Sequence, residues 1–134
     1  MKPHILPVTF CAFLLNTASL YSQTENGITG IWRGTSICQV KDSPCHDETV
    51  VYLIVSSGER TYTIKMNKVV DGEELEMGEL EFTYEESTGT LTCQRDDRHR
   101  SLWVFEITEN MMQGSLTIDG SVLYRLINAK KESE

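Results

Sequence analysis

The chain has 134 residues, 20 of them acidic against 12 Lys and Arg, for a formal net charge of −8. A chain of this length has room for one hydrophobic core. Its acidity excludes the basic surface with which proteins neutralise nucleic-acid phosphates or anionic membranes, so neither is an expected partner.

Taken in chain order, the first element is a short basic start, Met1 to His4, ahead of an eleven-residue apolar run from Ile5 to Leu15 and then small and polar residues. This is the layout of a secretory signal peptide. A membrane-spanning helix needs about twenty apolar residues, so no span is expected. Cys11 lies inside the run rather than at its end, which argues against an acylated lipoprotein. The expected division is a signal peptide over 1–22, cut after Ser19 or Ser22, and one β-barrel domain over 23–134. Removal of 1–22 takes away Lys2 and no acid, so the remaining 112 residues would carry −9. The expected location is secreted or periplasmic.

Beyond this segment, short runs rich in β-branched and aromatic residues alternate with turn-forming clusters, and no stretch keeps helical spacing. Eight strands are predicted: Gly30 to Val40, Glu48 to Ser56, Arg60 to Lys68, Glu76 to Glu85, Thr90 to Arg95, Leu102 to Thr108, Met111 to Ile118 and Val122 to Ala129. Separators such as Asp71-Gly72 and Asp119-Gly120 supply the positive φ of tight hairpin turns. Residues from Lys130 onward read as a frayed polar tail. Tyr62, Ile64 and Met66 share one face, as do Leu80, Phe82 and Tyr84, and Trp103, Phe105 and Ile107. Glu79, Glu81, Thr83 and Glu106 fall on the other, so one face is core and one is water. Short connections make a meander, and closing it removes both exposed edges. The predicted fold is an all-β, eight-stranded antiparallel up-and-down barrel, with a β-sandwich as the alternative.

Three cysteines follow the signal segment, and an oxidising compartment favours pairing two of them. Cys38 and Cys45 flank a turn-rich loop and form the expected bridge. A link from either to Cys93 stays open, since connectivity does not follow from spacing. Cys93 shares a face with Leu91 and reads as a buried, poorly reactive thiol.

The first strand opens with Gly30-Ile31-Trp32 and the last carries Arg125 within Leu123-Tyr124-Arg125-Leu126-Ile127. This pairing resembles the calycins, the group of lipocalins, fatty-acid-binding proteins and avidins. The longer string from Gly30 to Cys38, followed by Cys45-His46-Asp47-Glu48, is similar to a group of small exported bacterial proteins. The calycin resemblance implies that Arg125 packs over the Trp32 indole and closes one end of a barrel, a contact that gains about 0.5 to 2 kcal/mol. That contact requires Leu123, Arg125 and Ile127 to point inward; the opposite parity, with Val122, Tyr124 and Leu126 inward, removes it unless a bulge intervenes.

No nucleophile elbow, P-loop or dinucleotide fingerprint is present. The chain is not expected to be an enzyme or to need a cofactor. His46-Asp47-Glu48 and Asp96-Asp97-Arg98-His99 hold metal-ligand residue types without metal-ligand spacing, so no metal site is expected. The expected activity is non-catalytic binding of a small, partly apolar ligand, lined by Trp32, Tyr52, Tyr62, Arg95, Trp103 and Tyr124. Arg95 would lie at the rim or meet an acidic ligand group or an inward carboxylate. The alternative is a protein-binding module with a filled barrel. Some periplasmic metalloprotease inhibitors resemble it in size and architecture, which implies a role for Gln23 to Thr29 as an inserted segment. Ile31, Val51, Leu53 and Val55 fall on an outward stripe of the first two strands. Together with the last strand they would offer an interface to a protein partner or a second copy.

Overall fold

The computed structural model describes residues 3–4 and 27–133. The expected signal peptide, apart from residues 3 and 4, and the start of the segment after it lie outside them. Eight strands follow in order: β1 Gly30–Cys38, β2 Glu48–Ser56, β3 Thr61–Val70, β4 Glu73–Glu85, β5 Thr90–Asp96, β6 Arg100–Thr108, β7 Met111–Ile118 and β8 Val122–Ser133. Each pairs antiparallel with its neighbours in sequence, and β8 pairs with β1 to close an up-and-down barrel of lipocalin-like strand order. The sandwich alternative is thereby excluded.

Turn chemistry accounts for the short connections. Asp71 and Gly72 alone join β3 to β4, with φ of 52° and 81°. Positive φ at both central residues matches the twist of the flanking strands, and glycine adopts it without steric cost. The longest connection joins β1 to β2, and here the predicted strand overran. β1 ends at Cys38 rather than Val40, because Asp47 Oδ1 accepts the Cys38 backbone N–H at 2.9 Å and a Cys38–Cys45 disulfide ties off the loop. Among the described residues Cys93 is the free cysteine, and it is buried.

At the other end of the chain, the residues read as a polar tail are strand. Lys130 pairs with Arg33, Lys131 with Trp32 and Ser133 with Ile31. The first strand of a closed barrel offers backbone partners there, whatever the polarity of the side chains.

One half of the interior is solid. Trp32, Ile54, Ile64, Phe82, Leu91, Phe105 and Met112 are at most 1% exposed. Each such side chain gains roughly 1.5 to 3 kcal/mol from burial. Phe105 is the hub: it stacks on Phe82 with centroids 5.3 Å apart and meets Tyr52 at 5.8 Å and Trp103 at 6.0 Å. Its ring lies so close to the β7 backbone that a β-carbon on Gly114 would overlap it. Ile28, itself buried, closes this end, and its carbonyl accepts the Trp32 Nε1–H at 2.9 Å.

Two registers correct the sequence reading of the barrel's closure. Trp32 lies opposite Lys131, whereas Arg125 lies opposite Cys38, six residues along β1. At about 3.3 Å per residue the two are some 20 Å apart, and the expected Trp32–Arg125 contact does not form. The basic residue at the Trp32 level is Lys131, whose Nζ donates to the Gly27 carbonyl at 3.1 Å. Arg125 does point inward, with Ile127 and Ala129 buried below it, but a bulge opposite Leu116/Thr117 falls at Tyr124 and leaves Leu123 exposed.

Val51 also departs from expectation. It faces outward yet is only 1% exposed. On the outer surface Arg33 of β1 reaches Glu132 Oε2 at 3.0 Å and Glu74 of β4 at 3.9 Å. The second contact can be made only by crossing β2 and β3, so the two side chains roof Val51. Ile31 and Leu53 are half-buried and Val55 is well exposed, and on β8 Val122, Leu123 and Leu126 are exposed as well.

Candidate functional site

The opposite half of the barrel holds a cavity of about 340 Å³, within the range of small-molecule sites. Its floor and walls are apolar, formed by Tyr52, Met66, Leu80, Trp103 and Leu116. Its rim is polar, formed by Ser36, Glu48, Arg95, Asp97, Ser101 and Arg125.

The opening follows from strand register. β4 and β5 pair only at Thr83–Thr92, Tyr84–Leu91 and Glu85–Thr90. Extended at the same register, Leu80 would face Arg95 and Glu79 would face Asp96. Neither pair forms, so the two strands part beyond Thr83 and Thr92. Met77, Gly78 and Glu79 on β4 and Arg95 on β5 become the lips of a lateral opening. A bulge in the β3–β4 ladder at Met66/Asn67, opposite a Gly78 with φ of 148°, bends β4 at this level.

Arg125 anchors one wall. Its side chain is 11% exposed, and its Nη1 donates to the His46 carbonyl at 2.9 Å, to Ser36 Oγ at 3.2 Å and to the Ser36 carbonyl at 3.3 Å. Glu48 Oε2 lies 3.6 Å away, and Glu48 Oε1 is 3.9 Å from Lys68 Nζ. A nearly buried guanidinium is costly without such partners. One of them, the His46 carbonyl, depends on the loop that the disulfide closes, since His46 is adjacent to Cys45. The neighbouring Tyr124 ring sits 5.6 Å below the guanidinium carbon.

The phenol of Tyr52 belongs to the same cluster. Burial raises its pKa well above the ordinary value, and the Glu48 carboxylate adds to the shift while Arg125 opposes it. It therefore stays a neutral hydroxyl that can both donate and accept. Across the cavity, Arg95 Nη2 meets Asp97 Oδ2 at 2.6 Å. Both are substantially exposed, so Arg95 sits at the rim in an ion pair with a carboxylate of the chain itself. Burial also raises the pKa of the Cys93 thiol, against the nearby Arg95 charge.

Of the residues expected to line a ligand site, Tyr52, Arg95 and Trp103 are brought together around this cavity. Trp32 and Tyr62 are not. Trp32 fills the solid half, and Tyr62 lies there in a T-shaped contact with Tyr84 at 6.2 Å. Tyr124 lies at the bulge and stacks on Arg125 instead. Sequence reasoning missed Ser36, Glu48, Met66, Leu80 and Leu116 as lining residues. A signal for two of them was available: a hairpin centred on the Cys38–Cys45 loop places Ser36 directly opposite Glu48. Among the described residues no three His, Cys, Asp or Glu side chains converge as a metal site would require.

These features define a closed eight-stranded antiparallel barrel of calycin-like architecture with one half filled and one half hollow. No protein-family model matches the chain, and no curated protein sequence is similar to it.

Proposed function

We propose that the protein is an exported, non-catalytic binding module that holds a small, partly apolar ligand in the hollow half of the barrel. The observation that carries this reading is the cavity itself. It joins an apolar floor to a ring of hydrogen-bonding groups and opens between β4 and β5. Eight-stranded barrels have an interior that side chains can fill or that can hold one small ligand, and here the chain's own side chains fill only half. Tyr52 and Trp103 would contact the ligand body, while Tyr52, Arg95 and Arg125 would orient its polar end. The non-catalytic part of the reading is supported by Cys93, since a raised thiol pKa is the reverse of what an attacking thiolate needs. Export is supported by the apolar run before residue 16 and by the disulfide.

The test is native mass spectrometry of protein purified without denaturant, combined with a thermal-shift screen of lipids, small aromatics and sugars. A retained small molecule, or a hit that perturbs Trp103 and stabilises the fold by mass action, is the expected result. Protein that emerges empty and ignores every class would sink the reading.

A further inference from the structure

The charges around the cavity mouth balance. Arg125 is matched by Glu48, which also faces Lys68, and Arg95 is matched by Asp97. The lining carries two guanidiniums, Arg95 and Arg125, and three carboxylates, Glu48, Asp97 and, exposed on the β4 lip, Glu79; Lys68, 3.9 Å from Glu48, offsets the third carboxylate from just behind the rim. A ligand carboxylate would have to settle beside Glu48 or displace Asp97 from a 2.6 Å ion pair. An ammonium group would meet the guanidiniums. Either one enters a site where Glu48, Asp97, Arg95 and Arg125 are already paired and the remaining carboxylate, Glu79, lies exposed to water on the lip, so it carries its desolvation cost with it. An uncharged head carries no such cost. It finds donors and acceptors already in place, in the hydroxyls of Tyr52, Ser36 and Ser101, which line the cavity.

The floor limits length. Tyr52 and Trp103 both rest on Phe105, below which the barrel is filled by Phe82, Leu91 and Met112. A long acyl chain has no channel to descend.

From this geometry we infer the class of ligand: a compact molecule of no net charge, with a ring-sized apolar body and an uncharged polar head such as a carboxamide. This rests on the binding reading above and narrows it.

The experiment uses three compounds that share one apolar body and differ only in charge: naphthylacetamide, naphthylacetate and naphthylethylamine. Each is titrated into the folded protein at neutral pH, and binding is followed through the Trp103 indole N–H resonance. The amide is expected to bind at least ten-fold tighter than either charged analogue. In Asp97→Asn, a substitution at an exposed position, the affinity for the acetate relative to the amide is expected to rise about five-fold or more. An acetate or amine that equals the amide on the unaltered protein overturns the inference and leaves the binding reading standing. An acetate affinity unmoved relative to the amide by Asp97→Asn also counts against charge balance as the cause. If none of the three perturbs Trp103, the binding reading fails, and the inference with it.

Discussion

The two ends of this barrel are built from similar residues and reach different states. At one end Trp32, Phe82, Leu91 and Phe105 interdigitate until nothing is exposed, and the indole N–H has its acceptor in Ile28. At the other, Tyr52 and Trp103 are inward aromatics of the same kind, but β4 and β5 have parted and charged residues take the rim. The difference lies less in hydrophobicity than in backbone. Continuous ladders let side chains meet across the axis, whereas two parted strands leave a volume that side chains on either lip do not fill. The filled end carries stability and the hollow end is free to carry recognition.

Substitutions test that division, beginning with the largest expected effect. Phe105→Ala removes the hub shared by both ends and should cost about 3 to 5 kcal/mol in denaturant unfolding, as for other buried aromatic truncations. A loss under 1 kcal/mol would mean the filled end is not the stabilising one. Replacing Cys38 and Cys45 together by Ser should cost roughly 2.5 kcal/mol from the freed loop. It should also loosen Arg125, seen as slower or weaker ligand capture rather than altered packing at Trp32. Gly114→Ala forces a β-carbon against the Phe105 ring and should cost about 1 to 3 kcal/mol, measurable as a lowered midpoint with an unchanged m-value.

Smaller effects sharpen the comparison. Trp32 and Arg125 belong to opposite ends, so in a double-mutant cycle to Ala their losses should add to within about 0.5 kcal/mol. A larger coupling would place them in one cluster. The raised pKa values of Cys93 and Tyr52 give the last effect. Each group binds its proton more tightly in the folded state, so its contribution is fully present below its ordinary pKa. It is lost as pH rises through the range where the unfolded chain ionises. That decline should begin near pH 8.5 through Cys93 and deepen above about pH 10 through Tyr52. Tyr52→Phe should flatten the second part in unfolding curves taken across that range.

Much of the fold was legible because a period of two, punctuated by Gly, Asn and Asp, admits few arrangements. The strand number, their order and the inward face of Trp103 and Phe105 all follow from it, while the Cys38–Cys45 bridge was favoured by the turn-rich loop between the two cysteines. Alternation reports the face a residue occupies and is silent on its height in the barrel. That is why the calycin resemblance could imply an inward Arg125, as found, and still misplace it over Trp32: the stagger between β1 and β8 puts Lys131 at that level. The tail from Lys130 was misread for a related reason, because side-chain polarity does not reveal a waiting backbone partner. Val51 looked exposed since its cover comes from Arg33 and Glu74, three strands apart. The hollow half was the least legible part, as it depends on where the β4–β5 ladder stops.

The seam between β1 and β8 has a consequence for assembly. It joins Arg33 to Glu132, 99 residues apart, and brings Ile31 beside Ser133. Local hairpins can form early, but this pairing must wait until nearly all the intervening strands exist, and loop-closure entropy makes such long-range pairing slow. Until it forms, β1 and β8 are open edges, each able to capture a strand from another copy. The same adjacency means that a short linker between the two ends, with new termini cut at the exposed Asp71-Gly72 turn, should yield a permuted barrel that turns its slowest pairing into its most local one.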